Sequence, residues 1–190
     1  MIKIYSAQIN DFTQADYTKM YSLLDCAIKQ KIDAKAKEID KKRSLAGYIL
    51  LWRGARELYG VTDVSLRFNN NGKPDCDFCF FNISHSENHI VCAFCDSNIG
   101  VDIQKIKSVK PREKYKYFNE QECCYVNQNK RLLSERYIEI FTKKEAAIKM
   151  LGLSLANASE VDVFSNKFYF KSEKYDGYIF TICTLNDSIV

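Results

Sequence analysis

Three short stretches of this chain bring together residue types that could do chemistry. In Asn82-Ile83-Ser84-His85-Ser86, the apolar run ending at Phe81 gives way to two hydroxyls around an imidazole. Such groups bind phosphate or support proton transfer; taken alone, the stretch is better accounted for by a hairpin with a solvated histidine. In Gly100-Val101-Asp102-Ile103-Gln104, polar and apolar residues alternate, so Asp102 and Gln104 project from the same face of a strand. Two oxygen donors on a rigid strand suit a hard cation such as magnesium, and Gly100 permits close approach of a backbone or ligand. A half-exposed strand with a polar outer face is the plain alternative. In Phe141-Thr142-Lys143-Lys144-Glu145-Ala146-Ala147-Ile148-Lys149, Glu145 and Lys149 stand four residues apart, on one face of a helix. They could combine a metal-binding carboxylate with a phosphate-binding cation, or form a surface ion pair contributing about 0.2–0.5 kcal/mol. No Gly-x-Ser-x-Gly occurs, so no Ser-His-Asp hydrolase is implied.

The elements that must position these residues follow from periodicity and turn signals. Lys3–Ile9 reads as a strand. Tyr17, Met20, Leu23, Leu24 and Ala27 recur at helical spacing and predict one helix from about Asp11 to Ile32. A second helix is predicted over Ala34–Tyr59, with Leu45, Ile49, Trp52, Ala55 and Leu58 on its apolar face. Val64–Phe68 alternates like a strand, and Asn69-Asn70-Asn71-Gly72 signals a turn. Three strands are expected at Phe78–Ser84, His89–Cys95 and Ile99–Gln104, the first two as a hairpin. Helices follow near Asn119–Asn127 and Ser134–Leu151, then strands at Val161–Phe164, Lys167–Lys171 and Tyr178–Thr184. The class is α+β. Helix-then-strands occurs in each half, which suggests two related lobes.

Composition bounds the rest. The 190 residues are 46% hydrophobic with a formal charge of +4, ordinary globular values that permit an acidic partner without demanding nucleic acid. Met1 to Tyr5 has no apolar h-region, and no apolar run approaches the roughly 20 residues needed to cross a bilayer. A cytoplasmic protein with reduced cysteines is expected. Of the eight cysteines, Cys76-x-x-Cys79 and Cys92-x-x-Cys95 lie twelve residues apart, a spacing that resembles a zinc ribbon. Cys79 and Cys92 both sit in apolar runs that look extended, where residues i and i+3 point to opposite faces. Buried small-apolar cysteine is the preferred reading.

The combination of motifs resembles the phosphopantetheinyl transferase superfamily, in its Sfp-type branch. The family pattern runs Gly-Lys-Pro, Asn-x-Ser-His-Ser, Gly-x-Asp-x-Glu and Trp-x-x-Lys-Glu-x-x-x-Lys. This chain has Gly72-Lys73-Pro74, Asn82 to Ser86, Gly100 to Gln104 and Phe141 to Lys149, and Phe118-Asn119-Glu120-Gln121-Glu122 resembles a further Phe-x-x-x-Glu element. Each motif is weak alone; five in order are specific. Gln104 stands where the family usually has glutamate and offers a neutral oxygen, and Phe141 replaces the usual tryptophan.

The resemblance implies two similar α+β lobes, about 1–100 and 101–190, related by pseudo-twofold symmetry with a coenzyme A cleft between them, in a monomer. It implies transfer of 4′-phosphopantetheine from coenzyme A to a serine of an acidic acyl or peptidyl carrier protein, with release of adenosine 3′,5′-bisphosphate. Such carriers serve fatty-acid, polyketide or nonribosomal peptide biosynthesis. Asp102, Gln104 and Glu145 are implied to hold Mg2+, with Asp102, Glu145 and Lys149 catalytic and Glu145 the general base. Arg43, Lys73, Ser84, His85 and Lys149 are implied to bind coenzyme A. Lys41 and Lys42 read as a solvated helix face, and Lys29 or Lys31 match only loosely. The basic run Lys105–Lys116 resembles the start of a carrier-docking surface. Nucleic acid and membrane are not expected partners. The competing readings are a zinc-dependent nucleic-acid-binding module and a homologue that binds coenzyme A without turnover.

Overall fold

The computed structural model describes residues 1–69, 71–109 and 116–186. Strand β1 (Lys3–Gln8) leads through a 3-10 turn into α1 (Gln14–Leu23), α2 (Cys26–Asp33) and the long α3 (Glu38–Tyr59). Then come the short β2 (Arg67–Phe68) and β3 (Pro74–Asp75), the hairpin of β4 (Phe80–Ser86) and β5 (His89–Cys95), and β6 (Gly100–Lys105). The chain ends with α4 (Glu120–Asn127), α5 (Leu133–Leu151), β7 (Phe168–Tyr175) and β8 (Tyr178–Leu185). The mixed α+β class is as expected.

Two three-stranded antiparallel sheets have the same internal order. In the first, β1-β5-β4, and in the second, β6-β8-β7, the last strand in sequence lies in the middle. In each, a long helix comes between the first strand and the hairpin of the other two.

Strand β5 ties the layers together because both its faces are buried. Ile90, Cys92 and Phe94 face the core formed with α1, α2 and α3. Val91, Ala93 and Cys95 face a second core shared with Ile99, Val101, Ile103, Tyr178 and Ile182 of the other half. This explains its near-continuous apolar sequence. Helix α3 approaches it closely at Gly54, where a Cβ would run into the Phe94 ring. Its buried residues are Leu45, Ala46, Gly47, Leu50, Leu51, Gly54 and Ala55, so the packed face is rotated from the predicted one. Ile49, Trp52 and Leu58 only border the core.

Strands β4 and β6 are joined mostly through side chains. Val101 N–H donates to Asn82 Oδ1 at 2.9 Å, Ile103 N–H to Ser84 Oγ at 3.4 Å and Lys105 N–H to Ser86 Oγ at 3.1 Å. Amide groups along a strand edge need partners when buried; the alternate polar residues of the Asn82–Ser86 stretch supply them.

Four predicted elements differ. The helix predicted over 11–32 is two helices: Leu24 is extended (φ −75°, ψ 148°), and Asp25 caps α2 by accepting from Ile28 N–H at 2.8 Å. A side chain that satisfies the orphan amides of a new helix start competes with continuing the old helix. Of Val64–Phe68, only Arg67–Phe68 pairs, opposite Pro74–Asp75. Val161–Phe164 is no strand: it leaves a 3-10 turn (Leu155–Glu160), and Phe164 N–H bends back to Asp162 Oδ1 at 3.0 Å. The second helix starts at Glu38 rather than Ala34.

Candidate active site

Gly100 sets how closely α5 lies on β6. A Cβ there would collide with the Ala146 carbonyl oxygen and the Met150 amide, both helix backbone. The close approach that the sequence suggested at this glycine is therefore to a helix. It lowers Glu145 and Lys149 onto the strand that carries Asp102 and Gln104.

Lys149 then reaches across to β6. Its Nζ lies 2.5 Å from Asp102 Oδ1 and donates to Ser84 Oγ at 3.0 Å and to the Val101 carbonyl at 3.3 Å. An ammonium has three protons to give, and all three have acceptors. Asp102 is 1% exposed. Its Oδ1 also accepts from Ser84 Oγ at 2.7 Å, and its Oδ2 from Gln104 Nε2 at 3.1 Å. The surface ion pair considered for Glu145 and Lys149 is not what forms; Lys149 pairs with Asp102.

Glu145 lines the same cavity. Burial raises its carboxyl above the usual carboxylate range, Lys149 opposes the rise and the Asp102 charge adds to it. Ile83, Ser84, His85, Asp102, Gln104, Phe141, Glu145 and Lys149 enclose a space of about 480 Å³. His85 is exposed at the rim. Partial desolvation beside the cavity, then the cations of Lys149, Arg43 and Lys35, lower its pKa, with Asp40 opposing. A neutral imidazole results, able to donate from one ring nitrogen and accept at the other.

The sequence-predicted residues fall into two groups. Asp102, Gln104, Ser84, His85, Glu145 and Lys149 meet in this cavity. Arg43 stands behind His85 on α3, its Nε on the Glu87 carbonyl at 2.8 Å and one guanidinium nitrogen 2.6 Å from Asp40. Lys73 lies elsewhere, in a separate cavity of about 220 Å³ beside Asn69, Asp75 and Gly152. There its Nζ donates to the Met150 carbonyl at 3.2 Å, and Asn71 Nδ2 donates to the Gly152 carbonyl at 2.7 Å. The β2–β3 hairpin thus satisfies carbonyls at the end of α5 that helix geometry leaves open. Burial lowers the Lys73 pKa, with Asp75 opposing. Of the basic run, Lys105 and Lys107 pair with Glu87 at 3.5 and 2.6 Å, while 110–115 lie outside the described residues.

The role of Lys144, neighbour of Glu145, was missed by sequence reasoning. It points to the opposite side of α5, is 1% exposed, and pairs with the fully buried Glu122 at 2.9 Å. It also donates to the carbonyls of Ala158 and Val161. Glu122 accepts from Asn119 N–H at 2.8 Å and Val163 N–H at 3.2 Å. The signal was legible as a capping box: Asn119, then an acid three residues on.

The zinc-ribbon arrangement does not form. Cys92 and Cys95 belong to different cores on opposite faces of β5, as strand geometry requires. Among the described residues, no group of three or more His, Cys, Asp or Glu side chains could hold a metal ion. Cys76 and Cys79, in contrast, face each other at 3.8 Å between sulfurs, because the chain bends at 77–78 and β4 begins only at Phe80. No helix among the described residues is long and apolar enough to cross a membrane.

Residues 98–182, which carry β6, α5 and the first part of β8, match the family model of the 4′-phosphopantetheinyl transferase superfamily. The chain is 28% identical over 171 residues to the 4′-phosphopantetheinyl transferase gsp of Aneurinibacillus migulanus, covering 79% of this chain and 71% of that protein. It is 26% identical over 162 residues to the 4′-phosphopantetheinyl transferases ffp of Bacillus subtilis and Sfp of Bacillus subtilis strain 168, each match covering 82% of this chain and 72% of the relative. The matched region holds the strand and helix that build the cavity, and over those residues the chain is similar to the 4′-phosphopantetheinyl transferase superfamily.

Proposed function

We propose that this protein transfers 4′-phosphopantetheine from coenzyme A to a serine hydroxyl of an apo acyl or peptidyl carrier protein, with Mg2+. The observation that carries the reading is the meeting of Asp102, Gln104, Glu145 and Lys149 in one cavity with His85 at its rim. The relatives' names support the transfer itself. Coenzyme A lies in the cleft between two lobes related by pseudo-twofold symmetry, an arrangement that fits the repeated strand order of the two sheets.

The serine oxygen attacks the β-phosphorus of coenzyme A, and the bond to the departing adenosine 3′,5′-bisphosphate breaks. Negative charge accumulates on the pyrophosphate and leaving group, and preorganised cations stabilise it. Lys149, immobilised by its three acceptors, faces that charge. Glu145 takes the proton of the incoming serine, directly or through a bridging water, because a carboxylate that also holds a metal ion is a weak base. Arg43 and His85 contact the nucleotide phosphates from the rim. Asp102 and Glu145 would hold a hard cation, which would relieve the repulsion between the two carboxylates, and Gln104 would join them through its amide oxygen once the amide turns from its present contact, in which Nε2 donates to Asp102 Oδ2. When bound, magnesium supplies charge neutralisation of the pyrophosphate.

An acidic carrier fits the net charge of +4, and a monomer in the cytoplasm fits a site built within one chain. The test is incubation with coenzyme A, magnesium and a panel of apo carriers, read as mass gain on each carrier. Gain of one phosphopantetheine on a carrier supports transfer. Binding of coenzyme A with no gain on any carrier would instead favour the non-catalytic homologue, which the neutral Gln104 keeps in view.

A further inference from the structure

Cys76 and Cys79 take no part in the transferase cavity, yet they form a paired site of their own. Their sulfurs lie 3.8 Å apart, with Cys76 Sγ also donating to the Cys79 carbonyl at 3.4 Å. Cys76 is buried and Cys79 is partly exposed, so Cys79 is the more accessible member of the pair. No third His, Cys, Asp or Glu side chain among the described residues completes a metal site here, and Cys92, the neighbouring thiol, is sealed in the core. Two adjacent thiols without a metal site have one shared chemistry, joining to each other.

We propose that Cys76 and Cys79 form a redox-active dithiol that exchanges with small-molecule disulfides of the glutathione type. The Cys79 thiolate attacks one sulfur of the small disulfide, forming a mixed disulfide and expelling one small thiolate. The Cys76 thiolate then attacks Cys79 Sγ, the Cys76–Cys79 bond forms, and the second small thiolate leaves. The two thiolates that depart take up the protons given up by the two cysteines. The protein loses two electrons and two protons, and one small disulfide becomes two small thiols. The hydrogen bond between the two thiols lowers the first ionisation, placed on Cys76, to about 7, and passing the remaining proton from Cys79 to Cys76 across the same 3.8 Å contact puts the thiolate on Cys79 for the attack.

Location gives the bond a consequence. The turn it would tighten joins β3, whose hairpin clasps the end of α5, to β4, which carries Ser84 and His85. Closing the sulfurs shortens the link between these two supports of the cavity.

The experiment is equilibration of the folded protein in glutathione and glutathione disulfide at a series of ratios, followed by alkylation, intact mass and peptide mapping. The expected result is a species lighter by two hydrogen atoms, with Cys76 and Cys79 joined, that returns to the dithiol on reduction. Cys79→Ser abolishes this species, and Cys76→Ala leaves a mixed disulfide at Cys79 that does not resolve. Circular dichroism of each variant confirms that it is folded. Full alkylation of Cys76 and Cys79 while the exposed Cys26 and Cys124 carry mixed disulfides would overturn the proposal, as would an intramolecular bond between any other pair. Neither result depends on whether the carrier assay succeeds.

Discussion

The Lys149 ammonium sits 2.5 Å from Oδ1 of Asp102, bridging helix α5 to strand β6. The carboxylate is 1% exposed and the ammonium side chain 27%, so neither group can be removed without stranding the other in a poorly hydrated place. Asp102 thus holds helix to strand in addition to the chemistry proposed for it. Asp102→Ala is expected to cost about 3–5 kcal/mol, the usual penalty for breaking a buried ion pair. Asp102→Asn keeps the shape and some hydrogen bonds, costs less, and still lowers transfer by about 10²-fold or more through loss of a charged ligand to the proposed magnesium. Urea melts and carrier mass gain on both variants check the split. An Asn variant with full turnover would remove Asp102 from the chemistry.

Gly100→Ala is expected to push α5 off β6. Its Cβ would meet helix backbone, which has no rotamer to escape into. A loss of stability of about 3 kcal/mol or more, at or beyond the upper end for overpacking, should accompany a drop in transfer. Thermal denaturation reads the first effect. A variant as stable as the parent would contradict the close packing described.

Glu122 and Lys144 test a support without touching the cavity. Each is essentially unexposed, so Glu122→Gln alone should cost about 3–5 kcal/mol by leaving Lys144 unpaired. The double variant Glu122→Gln with Lys144→Met should recover a large part of that loss. Equal losses in single and double variants, measured by urea unfolding, would show that the ion pair is not what matters there.

His85 gives the fold a pH dependence. Its folded pKa lies below the unfolded value of about 6.5. As pH falls through about 6.5, the unfolded chain takes up a proton that the folded chain still refuses, so stability falls with pH until the lowered folded value is passed. Lys149 on α5, Arg43 on α3 and Lys35 disfavour the imidazolium, and Asp40 on α3 offsets them in part. Urea midpoints between pH 7.5 and 5.5 should fall less steeply in His85→Gln than in the parent. Identical slopes would show that the imidazole protonates as freely in the fold as out of it.

The residues that meet in the cavity were legible because their types, order and spacing are unusual together. Asp102 and Gln104 share a strand face, and Glu145 and Lys149 a helix face, by periodicity alone. The partner of Lys149 was not legible, since Asp102 lies on a strand 47 residues away in sequence and local periodicity cannot bring the two together. Lys73 shows the same limit: nothing in Gly72-Lys73-Pro74 reveals that its ammonium ends on the Met150 carbonyl. The break between α1 and α2 was hidden because Leu23, Leu24 and Ala27 continue the helical spacing, while the decisive event is one cap by Asp25. Val161 and Val163 alternate like strand residues, but the Val161 carbonyl is taken by Lys144 and the Val163 amide by Glu122. Long-range polar partners overrode a local pattern there.

The central claim is that the cavity between β6 and α5 carries out the transfer, and Glu145 tests it most directly. The measurement compares the parent with Glu145→Gln in a single-turnover reaction with coenzyme A, magnesium and one accepted apo carrier, following carrier mass and released adenosine 3′,5′-bisphosphate. The account predicts that the parent yields one bisphosphate per phosphopantetheine attached. The Gln variant should still bind coenzyme A but transfer slower by about 10²–10⁴-fold, the range for loss of a general base. A Glu145→Gln protein that transfers at the parent's rate would contradict it.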